Sequence, residues 1–171
     1  MKKYVFDLDN TLFYTDNVNN YTYKISLLTF GLDIKLVSKI KRITREVIVK
    51  KYPFISKKQL HGIINRKEKI YPQFLEQVIP NKKLLRFLNT KKARNCILWT
   101  SASKKRVISI LNYFNIENKF CKLMFSKKEN MRKDVEKICS FFCCEQRDLV
   151  FFENNKKVVK QLKKTNIKAV V

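Results

Sequence analysis

The chain has 171 residues, 45% of them hydrophobic and 12% aromatic, which supplies a core and excludes a largely disordered protein. Only 2 Gly and 3 Pro exclude collagen-like and flexible-linker architectures. The net charge of +24 points to a polyanionic partner such as nucleic acid, but the lysines are scattered along the whole chain and asparagine, isoleucine and phenylalanine are abundant too, a skew that coding bias explains as well.

In chain order, the first apolar run covers residues 4–6 and reads as a strand. Residues 16–78 contain no convincing strand and several helix signals. Asp33 is a plausible N-cap for one helix burying Leu36, Val37, Ile40, Ile43 and Val47. Ser56 and Gln59 form a capping-box pattern ahead of Leu60, Ile63 and Ile64. A helix carrying Leu84, Leu85 and Leu88 follows, and further apolar runs cover 96–99, 123–125, 149–152 and 167–171. Between them, Val107, Ile110, Leu111 and Phe114, then Val135, Ile138, Cys139 and Phe142, recur with helical spacing, and Val158, Val159 and Leu162 give a shorter copy. Continuous rather than alternating apolar runs suit a parallel sheet covered on both faces. The expected fold is a doubly wound, Rossmann-like α/β fold with a five-stranded parallel sheet. Its core is assigned to residues 1–15 and 79–171, with a helical insertion over 16–78.

Five cysteines, an odd number with apolar neighbours and no CxxC pair, predict reduced thiols in a cytoplasmic protein. No apolar run reaches the length of a membrane span, and the strand-like run at Tyr4 leaves no room for a secretory signal. The single histidine, His61, argues against His-rich zinc sites and His-dependent nucleophilic catalysis, and itself reads as a packed or surface residue. Chemistry is therefore expected from carboxylates.

The first strand runs into Phe6-Asp7-Leu8-Asp9-Asn10-Thr11. Two carboxylates two residues apart on extended chain point to one side. At the carboxyl end of a parallel strand they enter the crevice where such sheets bind ligands. Like charges this close repel unless a cation lies between them or one is protonated, an arrangement suited to a metal-assisted nucleophile beside a general acid.

These residues resemble the Asp-x-Asp-x-Thr motif of phosphatases of the haloacid dehalogenase superfamily. The resemblance extends over nearly the whole chain. Cys96-Ile-Leu-Trp-Thr100-Ser101 looks like the second motif, and Phe151-Phe152-Glu153-Asn154 aligns with the final acidic motif. It implies that Asp7 is the nucleophile forming an aspartyl-phosphate and Asp9 the acid/base, with Thr100 and Ser101 binding phosphate. It also implies Mg²⁺ held by the Asp7 carboxylate, the Asp9 backbone carbonyl, Glu153 and Asn154, and makes the insertion a small helical cap. The family's lysine falls on Lys133, in a segment similar to the RNA-polymerase C-terminal-domain phosphatases, or on Lys128, at metabolite-phosphatase spacing; Lys133 is the preferred assignment. Asn154 stands where many members have Asp.

A cap over the crevice implies a small phosphorylated metabolite or nucleotide as substrate. Three alternatives stay open: a phosphoprotein phosphatase, a catalytically weak binding module, and a nucleic-acid end phosphatase suggested by charge alone. The oligomeric state is open as well.

Overall fold

Four residues of central strand, Lys3–Phe6 (β1), pair in parallel with Cys96–Thr100 (β4) on one side and Leu149–Phe152 (β6) on the other. Lys122–Phe125 (β5) lies beyond β4 and Lys168–Val170 (β7) beyond β6, so the sheet order is β5-β4-β1-β6-β7 with every pairing parallel. The computed structural model describes residues 1–165 and 167–170; the last residue of the strand expected over 167–171 lies outside them. A separate two-stranded sheet joins Phe13–Tyr14 (β2) and Ile79–Pro80 (β3).

The chain divides into two compact units, Met1–Tyr14 with Pro80–Val171, and Thr15–Ile79. In the first, helices Lys82–Asn89 (α4), Lys104–Tyr113 (α5), Met131–Phe142 (α6) and Lys156–Lys164 (α7) alternate with the strands. Trp99, Val5, Phe151, Val135, Ile138 and Leu162 build a core around the sheet, the indole meeting the Phe151 ring edge-on at 5.4 Å. Burying such side chains stabilises by roughly 1.5–3 kcal/mol each, which pins the strand ends that carry the polar residues.

The second unit is helical: Asp16–Thr29 (α1), Arg45–Lys51 (α2) and Lys57–Ile70 (α3). Ser56 and Gln59 make both reciprocal bonds of the expected capping box. The single helix expected after Asp33 is instead broken. Asp33 caps only a 3₁₀ turn, Ile34–Val37, and Thr44 starts α2 by accepting from the Val47 N–H. The physical reason lies in α1. Asn20 Nδ2 donates to the Ile40 and Lys41 carbonyls, Asn19 Nδ2 donates to the Ile43 carbonyl, and Ile43 N–H donates to Asn20 Oδ1. Side chains thus satisfy the backbone groups that a continuous helix would have used. Leu36, expected to be buried, is exposed; Val37, Ile43 and Ile48 fill the core.

Helix α6 ends on Cys143 with φ 49°, a left-handed conformation normally taken by glycine. A Cβ in that conformation costs about 1 kcal/mol. Cys143→Gly is therefore expected to raise the melting temperature, and an unchanged or lower value would show that the cysteine side chain contributes more than its backbone costs.

Candidate active site

Strand β1 ends at Phe6, and the chain continues the sheet for one more step: Asp7 N–H donates to the Phe152 carbonyl at 2.9 Å. It then folds into a tight loop closed on one acceptor. The N–H groups of Leu12 and Phe13 both donate to the Leu8 carbonyl at 3.1 Å, and Asn10, with φ 57°, donates its N–H to the Phe13 carbonyl. Asparagine tolerates that backbone conformation better than most residues. The loop thereby projects Asp7, Asp9 and Thr11 at the carboxyl edge of the sheet.

Asp7 is buried, and its carboxylate is bridged by Lys128: Nζ lies 2.6 Å from Asp7 Oδ1 and 2.6 Å from Glu153 Oε2. Burial, chiefly, holds the Asp7 carboxyl up at about 6 against the pull of Lys128, with the Glu153 and Asp9 charges adding to the rise. Lys128 is the lysine that the fold brings to Asp7. Lys133, the preferred assignment from sequence, is exposed in the first turn of α6. That helix begins at Met131, capped by Asn130, so residue 133 already follows the helix surface. Lys128 sits in the preceding loop with a left-handed backbone, φ 59°. Its N–H donates to Ser126 Oγ at 3.0 Å.

That loop is anchored by a buried network absent from the sequence reading. Asp134 Oδ2 accepts from Trp99 Nε1 at 3.2 Å and also from Ser126 Oγ. The signal was available. A tryptophan in a fully buried strand needs an acceptor for its indole N–H, and Asp134, in the first turn of α6 and 35 residues on, supplies it. The Lys128 ammonium also stands 4.2 Å over the Trp99 ring, a cation–π contact.

Glu153 is buried, with a donor on each oxygen. Oε2 takes Lys128, and Oε1 accepts from the Asn155 N–H at 2.8 Å. Its oxygens are thus engaged as those of Asp7 are, each by one donor, which leaves both carboxylates lone pairs for a cation. Asn154 is exposed, and its Oδ1 accepts from Thr11 Oγ1 at 3.3 Å. The same hydroxyl approaches Asp7 Oδ2 at 3.2 Å. One hydroxyl between them therefore brings the Asp7 and Asn154 oxygens to a common corner. Hard oxygen donors of this kind fit Mg²⁺, with water completing the shell. Among the described residues, no group of three His, Cys, Asp or Glu side chains is arranged to hold a metal. The candidate oxygen donors are therefore Asp7, Glu153, Asn154 and backbone oxygen.

Thr100 is buried at the end of β4, and its Oγ1 accepts from the Ala102 N–H at 3.2 Å. Ser101 is exposed beside it, and Ser103, rather than Thr100, caps α5. Asp9 is reached from α5: Arg106 Nη2 lies 2.5 Å from Asp9 Oδ2. Arg106 had no place in the sequence reading. His61 is exposed in the other unit.

No protein-family model matches the sequence, and no curated protein matches it in sequence. Solved structures do match the fold. A HAD-superfamily hydrolase of subfamily IA from Geobacter sulfurreducens PCA aligns over 100% of this chain and 86% of its own, with TM-score 0.72 and 17% identity. A predicted phosphoglycolate phosphatase from Haemophilus somnus 129PT aligns over 99% and 84%, with TM-score 0.81 and 14% identity. CbbY from Rhodobacter sphaeroides, solved in complex with phosphate, aligns over 99% and 85%, with TM-score 0.76 and 12% identity. Among the described residues no helix is long and apolar enough to cross a membrane. The parallel sheet, its order and these alignments together give the chain the α/β fold of the haloacid dehalogenase superfamily hydrolases.

Proposed function

We propose that the chain hydrolyses a phosphate monoester through an aspartyl-phosphate on Asp7. The observation that carries this reading is the Asp7–Lys128 pair: a buried carboxylate, 2.6 Å from an ammonium, on the first loop after the central strand. One Asp7 oxygen bonds to phosphorus as the ester P–O bond breaks, and the departing oxygen takes a proton from the Asp9 carboxyl. In the second half, Asp9 takes a proton from water as the water oxygen bonds to phosphorus, and the Asp7–phosphorus bond breaks. Dividing one displacement into two lowers each barrier. Lys128 offsets the charge that accumulates on Asp7 and the phosphoryl group. Thr100 and Ser101 are the proposed phosphoryl hydrogen-bond donors. Mg²⁺, when bound, would add positive charge against the phosphate oxygens. Asp7, Glu153, Asn154 and the Asp9 carbonyl would hold it.

The structural neighbours described as a phosphoglycolate phosphatase and as CbbY with phosphate support a small phosphorylated substrate. The helical unit, Thr15–Ile79, is read as the cap of such an enzyme. The test is a screen with and without Mg²⁺ over an aryl phosphate, sugar phosphates, nucleotides and a phosphopeptide. Hydrolysis of small esters but not the phosphopeptide is expected. Preference for the phosphopeptide would overturn the cap reading, and no hydrolysis of anything would favour a binding module.

Asn154 gives a test that does not depend on turnover. An amide in place of a carboxylate removes one negative charge from the corner, so Asn154→Asp is expected to tighten Mn²⁺ binding by roughly tenfold, while Asn154→Ala weakens it. Titration of Mn²⁺ followed by its electron paramagnetic resonance signal measures both. Equal affinity in all three proteins would remove Asn154 from the metal site.

A further inference from the structure

Arg106 is a second buried cation in the site, and it is directed at Asp9 rather than Asp7. Its position comes from α5. Ser103 Oγ accepts the Arg106 N–H, and Val107, Ile110 and Leu111, all fully buried, fix that helix against the sheet. A guanidinium buried to 7% exposure requires an acceptor, and Asp9, 97 residues earlier in the chain, provides it. Asp9 itself lies on the tight loop after β1, one residue before Asn10 and its left-handed backbone. Its carboxylate is therefore oriented by a helix from a distant part of the chain as well as by its own loop.

We propose that Arg106 is the positioning residue for Asp9: it holds Oδ2 as an acceptor, so that the other carboxyl oxygen, Oδ1, carries the proton toward the oxygen of the departing alcohol. The proposal rests on the reading of Asp9 as acid/base given above. Proton transfer matters in proportion to how poorly the alcohol leaves. An alkoxide needs the proton during P–O cleavage, whereas a stabilised phenolate departs without it. Loss of Arg106 should therefore be selective. A residue needed only for the fold would lower both rates together, and a residue that bound the phosphoryl group would raise KM for every ester.

The experiment compares p-nitrophenyl phosphate with glycerol 2-phosphate, in Mg²⁺, for the wild type, Arg106→Gln and Arg106→Lys. Arg106→Gln is expected to lower kcat on the alkyl ester by about 30-fold and on the aryl ester by about threefold, with KM little changed. Arg106→Lys keeps the charge and should recover part of the alkyl-ester rate; it also carries the comparison if the glutamine variant does not fold. In an Asp9→Asn background, Arg106→Gln should add almost nothing, because the group it positions is gone. Equal losses on both esters, a common rise in KM, or additive effects in the double variant would overturn the positioning role while leaving the phosphatase reading intact. A wild type that hydrolyses neither ester would overturn that reading, and this proposal with it.

Discussion

Replacing Asp7 by Asn is expected to lower ester hydrolysis by at least on the order of 10³-fold, since an amide cannot form the acyl phosphate. The fold should survive. Lys128 keeps Glu153 as a partner at 2.6 Å, and the substituted side chain is nearly isosteric. In metal-free buffer the variant should even gain stability at neutral pH. The Asp7 carboxyl is pushed up to about 6, chiefly by burial, from an ordinary 3.8. Between those values the folded protein holds a proton that the unfolded chain has released. The stability this contributes is fully present below about pH 4 and is lost as the pH rises through about 6, a change of a few kcal/mol at most. Asn pays no such cost. Denaturant melts in EDTA at pH 4, 5, 6 and 7 should show Asp7→Asn drawing ahead of the wild type as pH rises. A gap that does not vary with pH would mean that Lys128 compensates the buried charge completely. Undiminished turnover in the variant would remove Asp7 as nucleophile.

The sheet was legible because its strands carry continuous apolar runs, and the inner strands Cys96–Thr100 and Leu149–Phe152, covered on both faces, leave room for little else. Leu149–Phe152 was bounded to the residue, and the runs at 4–6, 96–99 and 123–125 to within one. Helix α1 was not legible as an element. Its buried face includes Asn19, Thr22 and Ser26 beside Val18, Tyr23 and Leu27, so apolar periodicity is weak. Thr22 and Ser26 hide their hydroxyls by donating back to the Val18 and Thr22 carbonyls. Asn19 and Asn20 then spend their amides on residues 40–43, which breaks the next helix where hydrophobic spacing alone extends it.

In the site, Asp7 and Asp9 stood out because adjacent carboxylates after a strand have few structural uses. The cations that face them did not. With 38 basic residues in the chain, spacing to a helix start is a poor guide to which lysine turns inward. What selects Lys128 is the left-handed backbone at φ 59° and the Trp99–Asp134–Ser126 network that anchors its loop. Such a conformation costs a non-glycine residue about 1–3 kcal/mol and persists only where surrounding bonds over-determine it. Arg106 was hidden for a related reason: at the sequence level it is one more basic residue beside the apolar face of an amphipathic helix.

Lys128→Met should be the most damaging single substitution in the site. The side chains of Lys128, Asp7 and Glu153 are each at most 7% exposed, so removing the ammonium leaves two carboxylates facing each other out of water. Breaking a buried ion pair from one side costs about 3–5 kcal/mol. Methionine keeps the length and can still pack on the Trp99 ring, so little of that loss arises from an unfilled cavity. The cost should depend on pH with a definite sign. Without Lys128, which now lowers the Asp7 carboxyl, that group moves further up and the pair takes up a proton more readily. The variant should therefore lie closest to the wild type in acid and fall behind as the pH rises. Turnover should fall by at least on the order of 10²-fold, the range typical of a lost charge-stabilising group. Lys133→Met, made on the exposed first turn of α6, is the matched control and should change neither stability nor rate appreciably. Thermal melts in EDTA across pH 5–8, with aryl-phosphate assays in Mg²⁺, measure both quantities. If Lys133→Met is the variant that loses activity while Lys128→Met retains it, the lysine at Asp7 is a structural counter-ion and the catalytic assignment returns to the helix.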